Sequence, residues 1–285
     1  MTLIEASIVA VKALAYASGI VAAGQLFCLW LIHEIPADEE LVMRSRGAGI
    51  ALLALVLAWA LIGLEAVFLA GGQWQAFFDP ALWGFVLDGP NGLAMAGKSA
   101  GLMLVMIAGL PGRTAAVAGL AGAVLFCAAF TMTGHVAALS NDWFQVLLLT
   151  HLLCLGFWLG VFPPLYRLSG TQPQVAGAIG EVFGRRAMVA VGLLVITGAA
   201  TLTRILGNPL AATTTPYEQL FALKLGIFVL VMAAAAVNKR RLTPALQRGE
   251  SKAGRRMQRS LLIEGALIGA VLVVTSAFTT LTGPA

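Results

Sequence analysis

The chain of 285 residues contains only three histidines, and two of them, His135 and His151, bracket one short polar turn between apolar runs. With the turn centred near Asn141, Met132 and His151 reach about equal depth, and His135 sits nearly a turn closer to the loop end, at ~1.5 Å per residue. Met132 and His135 share a helix face by the i, i+3 rule. Cys154 lies one turn deeper on the His151 face, and Trp158 another turn on. The hairpin therefore offers imidazole, thioether and thiol groups in descending order. Thioether and thiolate select Cu(I), and imidazole accepts either oxidation state of copper. Hard cations would require carboxylates, and Asp142 in the turn is the only one nearby. A closed zinc site would need four N/S ligands in one place. A methionine or cysteine in an apolar helix ordinarily packs, and Cys127, off the His135 face, is read that way. A histidine inside a membrane is costlier to hide, so His151 is read as functional.

The other ionisable groups within apolar runs are Lys12, Glu65, Lys98, Lys224 and Glu264. Lys98 and Lys224 lie about two turns from one edge of their runs, where snorkelling would satisfy them or a shared pathway role would explain them. Glu264 enters from the opposite side and can pair with basic residues or relay a proton or ion. Cys28 and His33, at the end of the first run, are a further ligand pair to consider, although a spacing of five suits one helix face poorly.

These groups need helices to hold them. Apolar residues make up 59% of the chain and charged residues 11%, about half the charge of a soluble domain. The expected fold is all-α, a polytopic membrane helix bundle. About 20 apolar residues cross a hydrocarbon core, and eight segments qualify: 6–32, 46–70, 92–110, 114–137, 143–166, 186–205, 217–237 and 260–282. The first is expected to be a span and not a cleaved signal, because Glu5 stands where a basic region belongs. Fourteen of the 18 Lys and Arg residues fall in connections 1–2, 3–4, 5–6 and 7–8. Only Arg204 lies on the other side, and three lysines are within spans. The asymmetry puts those four connections in the cytoplasm and both termini in the periplasm. The positive balance therefore orients helices and does not point to nucleic acid. The outer connection GGQWQAFFDPALWGFVLDGPN (71–91) is expected along the membrane surface, with Trp74 and Trp83 at headgroup level, or as a lid on which a partner docks. Three cysteines in apolar runs argue against disulfides. No nucleophile–base pair, phosphate loop or paired carboxylates suggest an enzyme.

The fourth and eighth spans read alike: AVLFCAAFTMTGHVA (123–137) and AVLVVTSAFTTLTGPA (270–285). The third and seventh each carry one lysine near the outer end, in GLAMAGKSAGLML and EQLFALKLGIFVL. The pattern is that of two parallel four-helix repeats, 1–140 and 141–285, forming one membrane domain about an axis along the membrane normal. The copies differ chemically. Pro284 stands opposite His135, and span 1 has Tyr16 near the position that matches His151.

The TGH at 133–135, HLLCLGFWLG at 151–160, FALKLG at 221–226, NKRRLTPAL at 238–246 and RSLLIEGALIGAVLVVTSAFTTL at 259–281 together resemble the CopD copper-resistance family. The resemblance implies a bacterial inner-membrane protein that moves or receives copper, in partnership with a periplasmic copper carrier of the CopC type. It implies His135 and His151 as metal residues, and family-typical positions for Trp158, Lys224 and Glu264. The N-terminal half is a looser match, and Tyr16 lies where some members carry histidine. Three functions follow as alternatives. The first is copper transport from periplasm to cytoplasm past His135, Met132, His151 and Cys154. The second is a redox protein holding haem b between two histidines, against which the ~6 Å difference in their inferred depths counts. The third is a copper-binding scaffold for the carrier without transport.

Overall fold

In the computed structural model, which describes residues 2–133, 142–206 and 216–281, every regular element is helical among the described residues. The long helices are α1 (Leu3–Leu31), α2 (Ala37–Leu69), α4 (Pro90–Ile107), α5 (Arg113–Ala129), α6 (Asp142–Gly160), α8 (Pro173–Leu206), α9 (Pro216–Val237) and α11 (Ala253–Leu281). The short ones are α3 (Pro80–Val86), α7 (Phe162–Thr171) and α10 (Thr243–Gln247). Seven of the helical stretches are long and apolar enough to cross a membrane. The stretch matching the third expected span, α4, has 18 residues, about 27 Å at 1.5 Å each, and its polar Asn91 and Lys98 dilute its apolar character.

Two helices begin well before the expected spans. The α2 helix starts at Ala37 with Asp38, Glu39 and Glu40 in its first turn, where carboxylates meet the positive end of the helix dipole. The α8 helix starts at Pro173, a residue whose fixed φ suits the first turn. Both therefore project beyond the apolar slab. At the other extreme, α5 ends at Ala129 and tightens into a 3-10 turn, Phe130–Met132. The π-helical turn Asn238–Leu242 carries α9 into α10.

The central helix is α1, which packs against α2, α5, α6 and α11. Its crossing with α6 is a backbone-to-backbone contact. A Cβ on Gly24 would lie 1.9 Å from the Gly156 carbonyl oxygen, and one on Gly160 would lie 2.0 Å from the Gly24 carbonyl carbon. Gly156 and Gly160 form the small-xxx-small pattern that lets membrane helices approach closely. Cys28 is fully buried at the same crossing, its thiol donating to the Phe157 carbonyl at 3.3 Å.

Charged residues tie the connections together at the end remote from the termini. Arg44 is buried and donates from Nε to Ala108 O at 2.6 Å and from Nη2 to Leu110 O at 2.7 Å. A cation thus caps the carbonyls that close α4. Glu39, also buried, pairs with Arg167 of α7. At the opposite end Lys12 Nζ reaches Thr280 Oγ1 at 3.2 Å, so the start of α1 and the end of α11 lie side by side.

The aromatic connection 71–91 is a folded cap. Trp83 stacks on Trp59 with ring centroids 5.8 Å apart and donates Nε1–H to Phe77 O at 2.7 Å. Trp83 thus turns in toward α2, whereas Trp74 stays exposed.

Candidate functional site

Helix α6 presents a line of polar and soft groups to its neighbours. At its midpoint, His151 Nδ1 lies 3.1 Å from Thr197 Oγ1 of α8. The threonine hydroxyl also lies 2.7 Å from Leu193 O, the preceding-turn carbonyl of its own helix. A hydroxyl has one proton, and the Leu193 bond uses it. Thr197 Oγ1 then accepts from Nδ1–H, which leaves the His151 Nε2 lone pair available. Metal-binding histidines are commonly oriented this way, with the second nitrogen held by an oxygen. Thr197→Val keeps the shape and removes the acceptor. Copper affinity measured by competition titration is expected to fall about tenfold or more, with an altered copper–imidazole spectrum. An unchanged affinity would show that Thr197 does not orient the ligand.

Cys154, one turn further along α6, is buried in the apolar core. Another turn brings Trp158, 3% exposed, whose Nε1–H donates to Glu264 Oε1 at 2.8 Å. The second carboxylate oxygen accepts from Asn238 Nδ2 at 2.6 Å. Glu264 is 2% exposed, and both of these partners are neutral. Asn238 opens the π-helical turn, and its Oδ1 is buried without a partner. Such turns are common at functional positions. Along α6 the site thus runs from an imidazole to a caged carboxylate, about 10 Å for the seven residues from His151 to Trp158.

Met132 ends the 3-10 turn, is half-buried, and belongs to a turn that packs on α6. His135 lies outside the described residues. Cys28 and His33 are not brought together, since Cys28 is buried against Phe157 while His33 is exposed in the turn after α1. Among the described residues no three His, Cys, Asp or Glu side chains gather into a group able to hold a metal ion.

The two matched lysines share a feature. Lys98 Nζ stands 4.5 Å from the Phe130 ring centroid, and Lys224 Nζ stands 5.8 Å from that of Phe221, distances at which a cation is attracted to the ring face. Tyr16 meets Phe130 edge-on at 5.1 Å. Glu65 lies where the charges of both Lys12 and Lys98 act on it, so three helices contribute to one charged cluster that reading the residues singly does not reveal. Tyr16 is thus part of an aromatic and charged environment.

Seven long apolar helices among the described residues, with a glycine-lined crossing, support a multi-pass membrane protein. A model of the family described as Copper resistance protein D matches residues 177–278, and the match supports a copper resistance protein of the CopD family. The matched stretch holds Thr197, Lys224, Asn238 and Glu264, whereas His151 and Trp158 precede it. No curated protein and no solved structure matches the chain. The family's description points to a role in copper resistance and homeostasis.

Proposed function

We propose that the protein carries copper across the bacterial inner membrane, from periplasm to cytoplasm. The observation that supports this reading is His151, an imidazole inside an apolar helix whose Nδ1 is engaged by Thr197. In this reading copper arrives from a periplasmic carrier of the CopC type, loads at His135 and Met132, transfers to His151, and passes Cys154 toward the Trp158–Glu264–Asn238 cage. Lys98 and Lys224 sit on the outer side of this route and set the field a cation meets there. Eight spans with both termini periplasmic, arranged as two parallel four-helix repeats, give the route its direction and its asymmetry, because the histidines belong to one hairpin only.

The test is copper content, in cells and in purified protein, for wild type and His151→Ala. Expression of wild type is expected to raise copper-dependent accumulation, and His151→Ala to reduce it to the vector background. Cys127→Ala, a buried packing cysteine, should accumulate like wild type. Accumulation by His151→Ala equal to wild type would remove the site. Lower cellular copper on expression of wild type would reverse the direction. A Soret band in the purified protein would redirect the histidines to haem b.

A further inference from the structure

At the end of the bundle remote from the termini, α2, α7 and α11 enclose an open groove of about 920 Å³. Its floor is apolar, made by Phe162, Leu261, Leu262 and Ala266, and its rim is cationic, with Arg46 and Arg167. Arg167 is neutralised by the buried Glu39. Arg46 is exposed and has no hydrogen-bonding or ionic partner among the described residues. Helical register adds to this charge. Arg255, Arg259, Leu262 and Ala266 follow one another at three- and four-residue steps on α11, so two more exposed arginines continue the lining face toward the same end. Tyr166 stands at the rim, and its backbone carbonyl accepts from Gln258 Nε2 at 3.0 Å, which ties α7 to α11 across the groove.

We propose that this groove binds an anionic phospholipid, with the phosphate at Arg46 and Arg259 and one acyl chain along Phe162, Leu261, Leu262 and Ala266. Both parts of the ligand are needed to account for the surface. A soluble anion has no use for an apolar floor that opens sideways between membrane helices. A zwitterionic lipid gives the three uncompensated arginines, Arg46, Arg255 and Arg259, no net charge to meet. Basic recesses between spans at the positively charged side of membrane proteins take anionic headgroups for this reason. The site is separate from the copper route: its lining residues contribute nothing to the His151 line, and Glu264 faces away toward Trp158 and Asn238.

The experiment is native mass spectrometry of the purified full chain exposed to equal amounts of phosphatidylglycerol and phosphatidylcholine. Wild type is expected to retain phosphatidylglycerol in preference to phosphatidylcholine. Arg46→Gln should weaken that preference about fivefold, and adding Arg259→Gln about fivefold again. Both positions are exposed, and unchanged melting of the variants checks their fold. Ala266→Trp, which fills the floor without touching charge, should also lower retention. Equal retention of the two lipids, or a double arginine variant that retains phosphatidylglycerol as wild type does, would overturn the proposal. Displacement of the lipid by millimolar inorganic phosphate would overturn it too, by showing a site for a free anion.

Discussion

Gly160→Ala is expected to lose most of its stability, about 3 kcal/mol or more, and to leave little folded protein in mild detergent. The added methyl group would meet Gly24 C at 2.0 Å, Gly24 O at 2.1 Å and Gln25 N at 2.6 Å. These are backbone atoms in the middle of a long helix, so no side chain can swing aside. Helices in lipid gain no hydrophobic drive from touching each other, and van der Waals contact at small residues is what holds them. Parting α1 from α6 by the width of a methyl group forfeits that contact along the whole crossing, including the Cys28 bond to Phe157. The same shift would move His151 relative to Thr197, because α6 carries both the crossing and the imidazole. Gly192→Ala and Gly269→Ala are the controls. Neither Cβ would meet a described atom within 4 Å, and both substitutions favour the helix. Thermal melting of the four proteins in one detergent checks this. A Gly160→Ala melting temperature within about 2 °C of wild type would show that the helices are not held by this contact.

The crossing also marks a boundary between what a sequence discloses and what it does not. Gly156 and Gly160 form a visible small-residue pattern. Their partner Gly24 does not announce itself among the 32 glycines of so apolar a chain. The helical, membrane-spanning character of most apolar runs was legible because hydrocarbon thickness dictates the length of such a run. Helix starts were less so: α2 and α8 extend into polar sequence, and the long-range Glu39–Arg167 pair and Arg44's carbonyl cap are what make the α2 extension part of the core. In the site, His151 and Glu264 stand out because ionisable groups are rare inside membranes. Their partners do not. Thr197 is one of many hydroxyl residues in apolar helices, where bonding to the preceding turn is its ordinary state. Asn238 sits where an apolar run gives way to a basic one, and its place reads as the start of a loop. Trp158 and Glu264 are 106 residues apart, beyond any local spacing rule.

The Glu264 cage separates a structural role for that carboxylate from a functional one. Glu264→Ala removes the acceptor for two buried donors, Trp158 Nε1–H and Asn238 Nδ2. Each orphaned donor costs roughly 1–3 kcal/mol, so the variant should be destabilised by about 2–6 kcal/mol and should accumulate poorly. Glu264→Gln is different. Its Oε1 can still accept from Trp158, and its Nε2 can donate to Asn238 Oδ1 once the Asn238 amide turns over. That oxygen is at present a buried acceptor without a donor. The glutamine variant should therefore melt near wild type. If Glu264 serves only to pack these helices, Glu264→Gln should also accumulate copper as wild type does. If its charge draws a cation or carries a proton at the inner half of the route, accumulation should fall tenfold or more, about 1.4 kcal/mol or beyond at the barrier, with melting unchanged. The π-helical turn at Asn238 favours the second outcome, since it aims the amide at the carboxylate and leads directly to the basic segment Lys239–Arg241. Melting in detergent and copper accumulation, measured on the same two variants, decide between the roles: normal accumulation in a stable Glu264→Gln protein would end the functional reading of this carboxylate.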